Sequence, residues 1–314
     1  VSTATVSRPS SGRRKRPGLG TVDRRSGYTM LLPAVIVICA VTIFPIAYSI
    51  YQSLNNIRLT DSGYKASFVG LQNYSLLVHS GVFWHAVWFT VMYAIVTVIV
   101  ELGLGMLIAL AINNVQSLKN ISIVIMLVPW ALITVMSAQM WGFIYNGVYG
   151  VLNYILQSVH IISHPVTWLG TPVSAVISMM VADVWKTTPF VVIILLSGLQ
   201  MIPNEYFEAA HIDGANAWKT FWSVTFPSLR GSIALAGLFR ILQAFGVFDL
   251  PYVLTHGGPG NATQSLAILG QYVLFGELHF GVGAAIAVAT VILVLGVSLV
   301  FLSAFRSMVE GEAQ

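Results

Sequence analysis

Charge is what this chain has least of. Asp, Glu, Lys and Arg make up 8% of its 314 residues, against about 25% in an ordinary soluble domain, so too little charge exists to cover a globular surface in water. Cysteine is as scarce: Cys39 stands alone, which excludes an intrachain disulfide and a cysteine-built metal site. Catalytic signatures are missing too. His160 and His164 are four apart, but Pro165 follows at once and no carboxylate lies nearby in sequence, so no metal site is expected. The run from Asp213 to Lys219-Thr220 imitates the end of a phosphate-binding loop, yet Asp213 and Trp218 occupy the positions of its glycines. No Gly-x-Ser-x-Gly element occurs. The chain is expected to be no enzyme, with no catalytic residue and no cofactor of its own.

What it has in abundance is apolar sequence, 56% of the residues. No charged residue occurs between Arg25 and Arg58, Lys65 and Glu101, Lys119 and Asp183, or Glu277 and Arg306. Each gap exceeds the roughly 20 residues that carry a helix across a bilayer. Six membrane spans are predicted: Tyr28 to Leu54, Trp84 to Ile112, Ile121 to Tyr145, Pro172 to Gly198, Ser232 to Leu254 and Phe280 to Phe305. They must be helices, because unpaired backbone groups in hydrocarbon are costly and the runs are too long for barrel strands. The fold class is an all-α polytopic membrane protein. The first run is too long for a signal peptide and is expected to stay as a helix. The segment Gly147 to Thr171 reads equally as a re-entrant or surface helix and as an ordinary external loop.

Lys and Arg set the orientation. With the amino terminus inside, Arg8, Arg13, Arg14, Lys15, Arg16, Arg24, Arg25, Lys119, Lys219, Arg230 and Arg306 face the cytoplasm, and only Arg58 and Lys65 face outward. That asymmetry predicts cytoplasmic chain ends, with a basic tail over 1–27, a transmembrane domain over 28–305 and a short tail over 306–314. Beside a first span, Arg13 to Arg16 reads as a topology determinant attracted to anionic lipid rather than a nucleic-acid patch.

One cytoplasmic loop, about 200–230, is polar out of proportion. Pro203 suits a first helical turn, and Glu205 and Glu208 sit where the helix dipole favours negative charge. A helix is predicted from Pro203 to about Ile212, ended by a left-handed Gly214, with a second short helix from Ala215 to Ser223 before Pro227 opens the next span. Ala209 and Ala210 would let another protein approach the backbone. A surface helix that merely caps the bundle remains an alternative.

The run Val184-Trp185-Lys186-Thr187-Thr188-Pro189-Phe190, then Gly198 to Pro203, then Glu205-Tyr206-Phe207-Glu208-Ala209-Ala210-His211-Ile212-Asp213-Gly214-Ala215 resembles the membrane subunit of carbohydrate-type ABC importers, the maltose-permease family. The external Thr255 to Thr263 run, with Gly257-Gly258-Pro259-Gly260, resembles it as well. The similarity covers roughly Tyr28 to Arg306. Val224 and Phe226 depart from the family's usual Ile and Leu before Pro227. The 29 residues between the first two predicted spans leave no room for the large external domain of one well-known member.

The resemblance implies a type I importer permease in a bacterial cytoplasmic membrane, possessing a coupling helix whose Glu208 pairs with a basic group of an ATPase. Glu205, Ala209, Ala210, Asp213 and Gly214 complete that motif. It further implies a second homologous permease, two ATP-binding subunits that use ATP and Mg²⁺, and an extracytoplasmic solute-binding protein docking at the Gly257 turn. Its substrate would be a sugar, trehalose or maltose being the leading candidates, moved by alternating access.

Polar groups inside spans point to a substrate path. Arg240, Gln243, Ala244 and Val247 form one helical stripe, and they match sugar-holding positions of the maltose-type relative, as do Lys186, Thr187 and Phe190; Asp249 follows the stripe. Ionisable groups at that depth cost about 2.5–3.5 kcal/mol each on insertion scales. Structural readings stay open: Asp183 with Lys186, or Arg240 with Asp249 or a partner subunit, as neutralising pairs, and Glu101 with a structural partner. Gly281, Ala285 and Ala289, with Gly283 and Ala287, follow a small-residue spacing for close helix packing. An ion-coupled secondary transporter and a membrane glycosyltransferase are the alternatives; the coupling loop disfavours the first and the absence of an acidic motif the second.

Overall fold

The computed structural model describes residues 19–60, 63–115 and 119–310. The Arg8 to Arg16 cluster and the last residues of the carboxyl-terminal tail lie outside them. The chain divides into two compact units, Val1–Ser49 and Ile50–Gln314. The first contains helix α1 (Leu19–Ile38), a π turn (Cys39–Ile43) and the start of α2 (Phe44–Ser53). Met30, Val41 and Phe44 are among its many exposed apolar side chains, as a helix made to meet lipid requires.

The second unit continues with a hairpin of β1 (Asn55–Thr60) and β2 (Gly63–Phe68), antiparallel with Asn55 opposite Phe68. Then come α3 (Gln72–Val78), α4 (Gly81–Asn114), α5 (Lys119–Ala131), α6 (Thr134–Ile144), α7 (Val151–Ser158), α8 (Pro172–Gln200) and α9 (Asn204–Ile212). After these follow α10 (Ala217–Thr220), a π turn (Phe221–Thr225), α11 (Phe226–Phe245), α12 (Asp249–Thr255), α13 (Leu266–Gln271), a third π turn (Tyr272–Gly276) and α14 (Phe280–Glu310). Four helices are long and apolar enough to cross a membrane: Gly27–Ser53, Gly81–Asn114, Pro172–Gln200 and Phe280–Phe305. Two bent pairs bring the spans to six when each pair is taken as one.

Both bent pairs correct the predicted continuous spans. Over 121–145 the helix turns by 91° between α5 and α6, where Leu132 N–H folds back on the Pro129 carbonyl and Ile133 takes an extended backbone. The fifth span bends by 45° between α11 and α12. There the Val247 carbonyl, free of the helix ladder, accepts from Ser265 Oγ at 2.9 Å, which meets the requirement that irregular backbone at membrane depth be satisfied by protein.

The second short helix predicted over 215–223 is not separate: Ala217–Phe245 runs as one helix. Pro227 breaks nothing, because the turn before it widens so that Phe226 N–H bonds to the Phe221 carbonyl, five residues back. The same device precedes Pro45, where Phe44 N–H reaches the Cys39 carbonyl.

Segment 147–171 combines the two readings offered for it. An eight-residue helix, α7, is followed by an ordered loop folded around buried Asn153. Its amide spans Gly147 O, Val166 O, Val166 N and Trp168 Nε1 at 2.9–3.3 Å. His160 closes α7 in the left-handed region, φ 58°, and the described residues contain no cluster suited to a metal.

In the second unit α4 packs along α8, and α11 packs against both and against α14. One apolar cluster (Ala109, Val191, Leu195, Leu199, Leu229, Ile233) fills the α9 end and another (Leu77, Phe83, Leu266, Ala285, Ile286) the hairpin end. Close approach depends on missing side chains: a Cβ on Gly105 would lie 2.6 Å from Val191 Cγ1, and one on Gly281 would lie 2.1 Å from the Asn55 carbonyl oxygen. Gly281 and Ala285 are buried, but the small-residue spacing predicted close packing on a helix, whereas Gly281 faces the backbone of β1 and Ala287 is exposed.

Gly281→Ala is expected to destabilise the chain by about 1–3 kcal/mol, since the obstacle is backbone. Gly103→Ala, with open space around it, should be neutral or stabilising by up to about 1 kcal/mol. Thermal unfolding in detergent separates the two.

Candidate functional site

Three helices bring four charged groups together inside the second unit. Glu101 comes from α4, Asp183 and Lys186 from α8 and Arg240 from α11. On α8, Asp183, Thr187 and Phe190 recur at one face of a helix. On α4, Gly105 lies one turn beyond Glu101 and lets α8 close in at Val191.

Arg240 is 2% exposed and Glu101 0%. The guanidinium grips Glu101 with two nitrogens: Nε to Oε2, and Nη2 to Oε1 at 2.8 Å. Nη2 also reaches Asp183 Oδ2 at 3.3 Å, and Nη1 donates to Gln243 Oε1 at 2.9 Å. Thr187 Oγ1 lies 2.6 Å from Glu101 Oε1 and 2.7 Å from the Asp183 carbonyl, one hydroxyl proton facing two acceptors. Tyr93, fully buried on α4, sits within electrostatic range of Asp183, Arg240 and Glu101. A fork-to-fork arginine carboxylate pair of this kind is directional, so it fixes the rotation of α11 against α4.

The predicted path residues therefore divide into two sets. Arg240, Thr187 and Gln243 join a single hydrogen-bonded knot, whose partners are Glu101 and Asp183 rather than Asp249. Ala244, 2% exposed, packs in the apolar cluster of Ala94, Val98 and Phe245. Lys186, 9% exposed, has no hydrogen bond or ion pair among the described residues and lies in electrostatic range of Asp183 and Asp249. Asp249 is exposed at the start of α12, and Val247 sits in the break before it. Phe190 stacks on Trp130 at 6.0 Å and meets Phe239 edge-on at 6.0 Å. Sequence reasoning left Glu101 without a named partner; the available signal was that a buried acid needs a cation and that Arg240 and Lys186 are the intramembrane candidates.

At the far end of α8, α9 stands as a separate helix. Gly214 takes φ 71°, Ala215 N–H returns to Ala210 O at 2.9 Å, and Asn216 Oδ1 accepts from Lys219 N–H at 2.9 Å. Glu205, Glu208, Ala209, Asp213 and Gly214 are exposed, while Ala210 is buried. Met201, Ile212 and Trp218 are each more than two-thirds exposed around them, an apolar surface in the one loop rich in polar residues. At the opposite end, His279 N–H bonds back to Val273 O. Burial, then the charge of Arg58, pushes its imidazole below the ordinary value against a weaker pull from Glu277.

Long apolar helices, a separate helix directly after α8 and a charge knot between helices define a polytopic membrane subunit. A profile for the binding-protein-dependent transport system inner membrane component matches residues 101–307, and the chain belongs to that family. It is a multi-pass inner-membrane permease subunit of the ABC importer class. Among its relatives, a trehalose/maltose transport system permease protein of Thermococcus litoralis is 40% identical over 285 residues, 90% of this chain and 95% of that one. A trehalose transport system permease protein of Mycobacterium tuberculosis is 33% identical over 296 residues, 94% of each. In fold, it is similar to a chain of a bacterial alginate ABC transporter solved with an alginate pentasaccharide-bound periplasmic protein. That match has a TM-score of 0.76 at 19% identity, covering 93% of this chain and 98% of the other.

Removing one member of the knot leaves a buried charge without its partner. Glu101→Ala is expected to cost about 3–5 kcal/mol, and replacing all three members together as Glu101→Leu, Asp183→Asn and Arg240→Met should recover most of that loss. Thermal unfolding of the purified permease complex reads both.

Proposed function

We propose that this chain is one of two membrane halves of an ATP-driven sugar importer, taking a disaccharide of the trehalose or maltose kind. The observation that carries the proposal is α9: a finished helix directly after the fourth span, its Glu208 exposed and without an ion pair among the described residues. Its carboxyl end is closed by the left-handed Gly214 and the Ala215 N–H to Ala210 carbonyl bond, and it is surrounded by exposed apolar side chains. The permease relatives supply the sugar, through their names. The partners are a second homologous permease, two ATP-binding subunits that hydrolyse ATP with Mg²⁺, and an extracytoplasmic binding protein. The chain's ends and α9 are cytoplasmic, consistent with the eleven cytoplasmic and two external Lys and Arg residues.

The charge knot gives this reading a mechanism. α9 is joined to α8 on one side and to α11 on the other, and Arg240 ties those helices to each other and to α4. A push on α9 then displaces α4, α8 and α11 as one block. Closure of the ATPases favours one arrangement of the two permease halves over the other, which is the differential interaction that alternating access requires. Because Glu101 occupies the fork of Arg240, the sugar contacts fall to Gln243, Lys186, Phe190 and Asp249. Arg240 donates to Gln243 Oε1 and leaves the Gln243 amide N–H groups for a sugar hydroxyl. Arg240 and Thr187 are positioning residues in this account.

Glu208→Ala should lower sugar uptake into proteoliposomes containing the full complex about tenfold or more, the scale of truncating one partner of an interfacial charge pair. Part of the ATPase should still co-purify. Near-normal uptake by that variant, or uptake without ATP, contradicts the proposal.

A further inference from the structure

A cleft of about 690 Å³ opens at the hairpin end between α3, α4, α12, α13 and the following π turn, within the 300–1,000 Å³ range of small-molecule sites. It is separate from the charge knot. One wall is aromatic: Tyr252 and His256 line it. They continue a ladder in which Phe248 stacks on Tyr252 at 5.0 Å and 18°, and Tyr252 meets His256 at 5.3 Å. The ladder starts beside Val247 and Asp249 and ends in the cleft. Asn261, Gln264 and Gln271 supply amides and Glu277 an acid, set among apolar side chains that include Leu76, Phe83 and Ile286.

Gln264 is the decisive residue. It is 8% exposed, and its Oε1 is buried with no hydrogen-bond partner. A buried acceptor left unpaired costs about 1–3 kcal/mol; Oε1 is closed to solvent as it stands, and a turn of the amide toward a ligand hydroxyl in the cleft would remove that cost. No Lys or Arg lines the cleft, so it offers nothing to a phosphate or an acidic sugar. Flat aromatic faces suit the C–H faces of a pyranose ring, and amides and a carboxylate suit its hydroxyls.

We infer that this cleft is a carbohydrate subsite for a neutral sugar, from which the Phe248–Tyr252–His256 ladder leads inward to the Gln243 region. The inference rests on the sugar-permease reading, and its test is built to fail separately from it.

In a Cys39→Ser background, Gln271→Cys supplies a single thiol on the cleft wall for a membrane-impermeant maleimide. With the complete complex in proteoliposomes, millimolar trehalose or maltose should slow labelling about tenfold, and glucose 6-phosphate should not. Gln264→Leu, and separately the exposed Tyr252→Ala, should each abolish that protection. If neutral sugar leaves labelling unchanged while ATP-dependent uptake persists, the subsite is overturned and the permease reading stands. Protection that comes only from adding the binding protein, with or without sugar, overturns it equally, because the cleft is then a docking surface. If uptake proves independent of ATP while neutral sugar still protects the thiol, the permease reading fails and the subsite survives.

Discussion

The second unit depends on one buried cation. Arg240 sits in a bundle where the transfer of an ionised group is expensive, and it is tolerated because Glu101 meets it with both oxygens while Asp183 and Gln243 accept from two more of its donors. Such a knot adds little net stability over a well-packed apolar one. Its contribution is specificity: apolar helices slide and rotate against each other in lipid at small cost, and a forked ion pair allows one register. Gly105 belongs to the same constraint, because without close approach at Val191 the Thr187 hydroxyl would not reach Glu101.

From that constraint the two ends acquire their relation. The knot lies between the apolar clusters of the α9 end and the hairpin end, and α8 and α11 run from it to α9. A surface helix attached to two helices that are pinned together works as a lever. Attached to two independent helices, it would merely deform the loop. At the other end the break after Phe245 turns α12 aside, which carries the aromatic ladder away from the knot and toward the cleft at the hairpin end.

Much of this was legible in the sequence, and what was not has physical reasons. The predicted spans 172–198 and 280–305 agree with helices at Pro172–Gln200 and Phe280–Phe305, because uninterrupted apolar runs report length well. Hydropathy is blind to direction, so the turns at Leu132–Ile133 and at Gly246–Phe248 left no trace in it. Pro203 and Gly214 announced the ends of α9 because a missing N–H and a left-handed backbone are local requirements. Pro227 misled for the complementary reason: a widened turn absorbs a proline that would otherwise end a helix. The hairpin over 55–68 carried only a faint alternation, Ile57 and Leu59, in a stretch too polar to be a span. Glu101 and Arg240 are 139 residues apart, and only the packing of α4 on α11 makes them neighbours. The cleft around Gln264 draws on several elements, none of which is unusual alone.

In the proposed coupling, α4, α8 and α11 move as one block when the partner ATPases close. Spin labels at exposed Ser197 on α8 and Leu235 on α11, in a Cys39→Ser chain within the full complex, test it by distance measurement in nucleotide-free and vanadate-trapped states. One α8–α11 distance is expected in both states, and a broadened, state-dependent distribution once Arg240 is replaced by Met. A nucleotide-dependent change of that distance with Arg240 in place would contradict it.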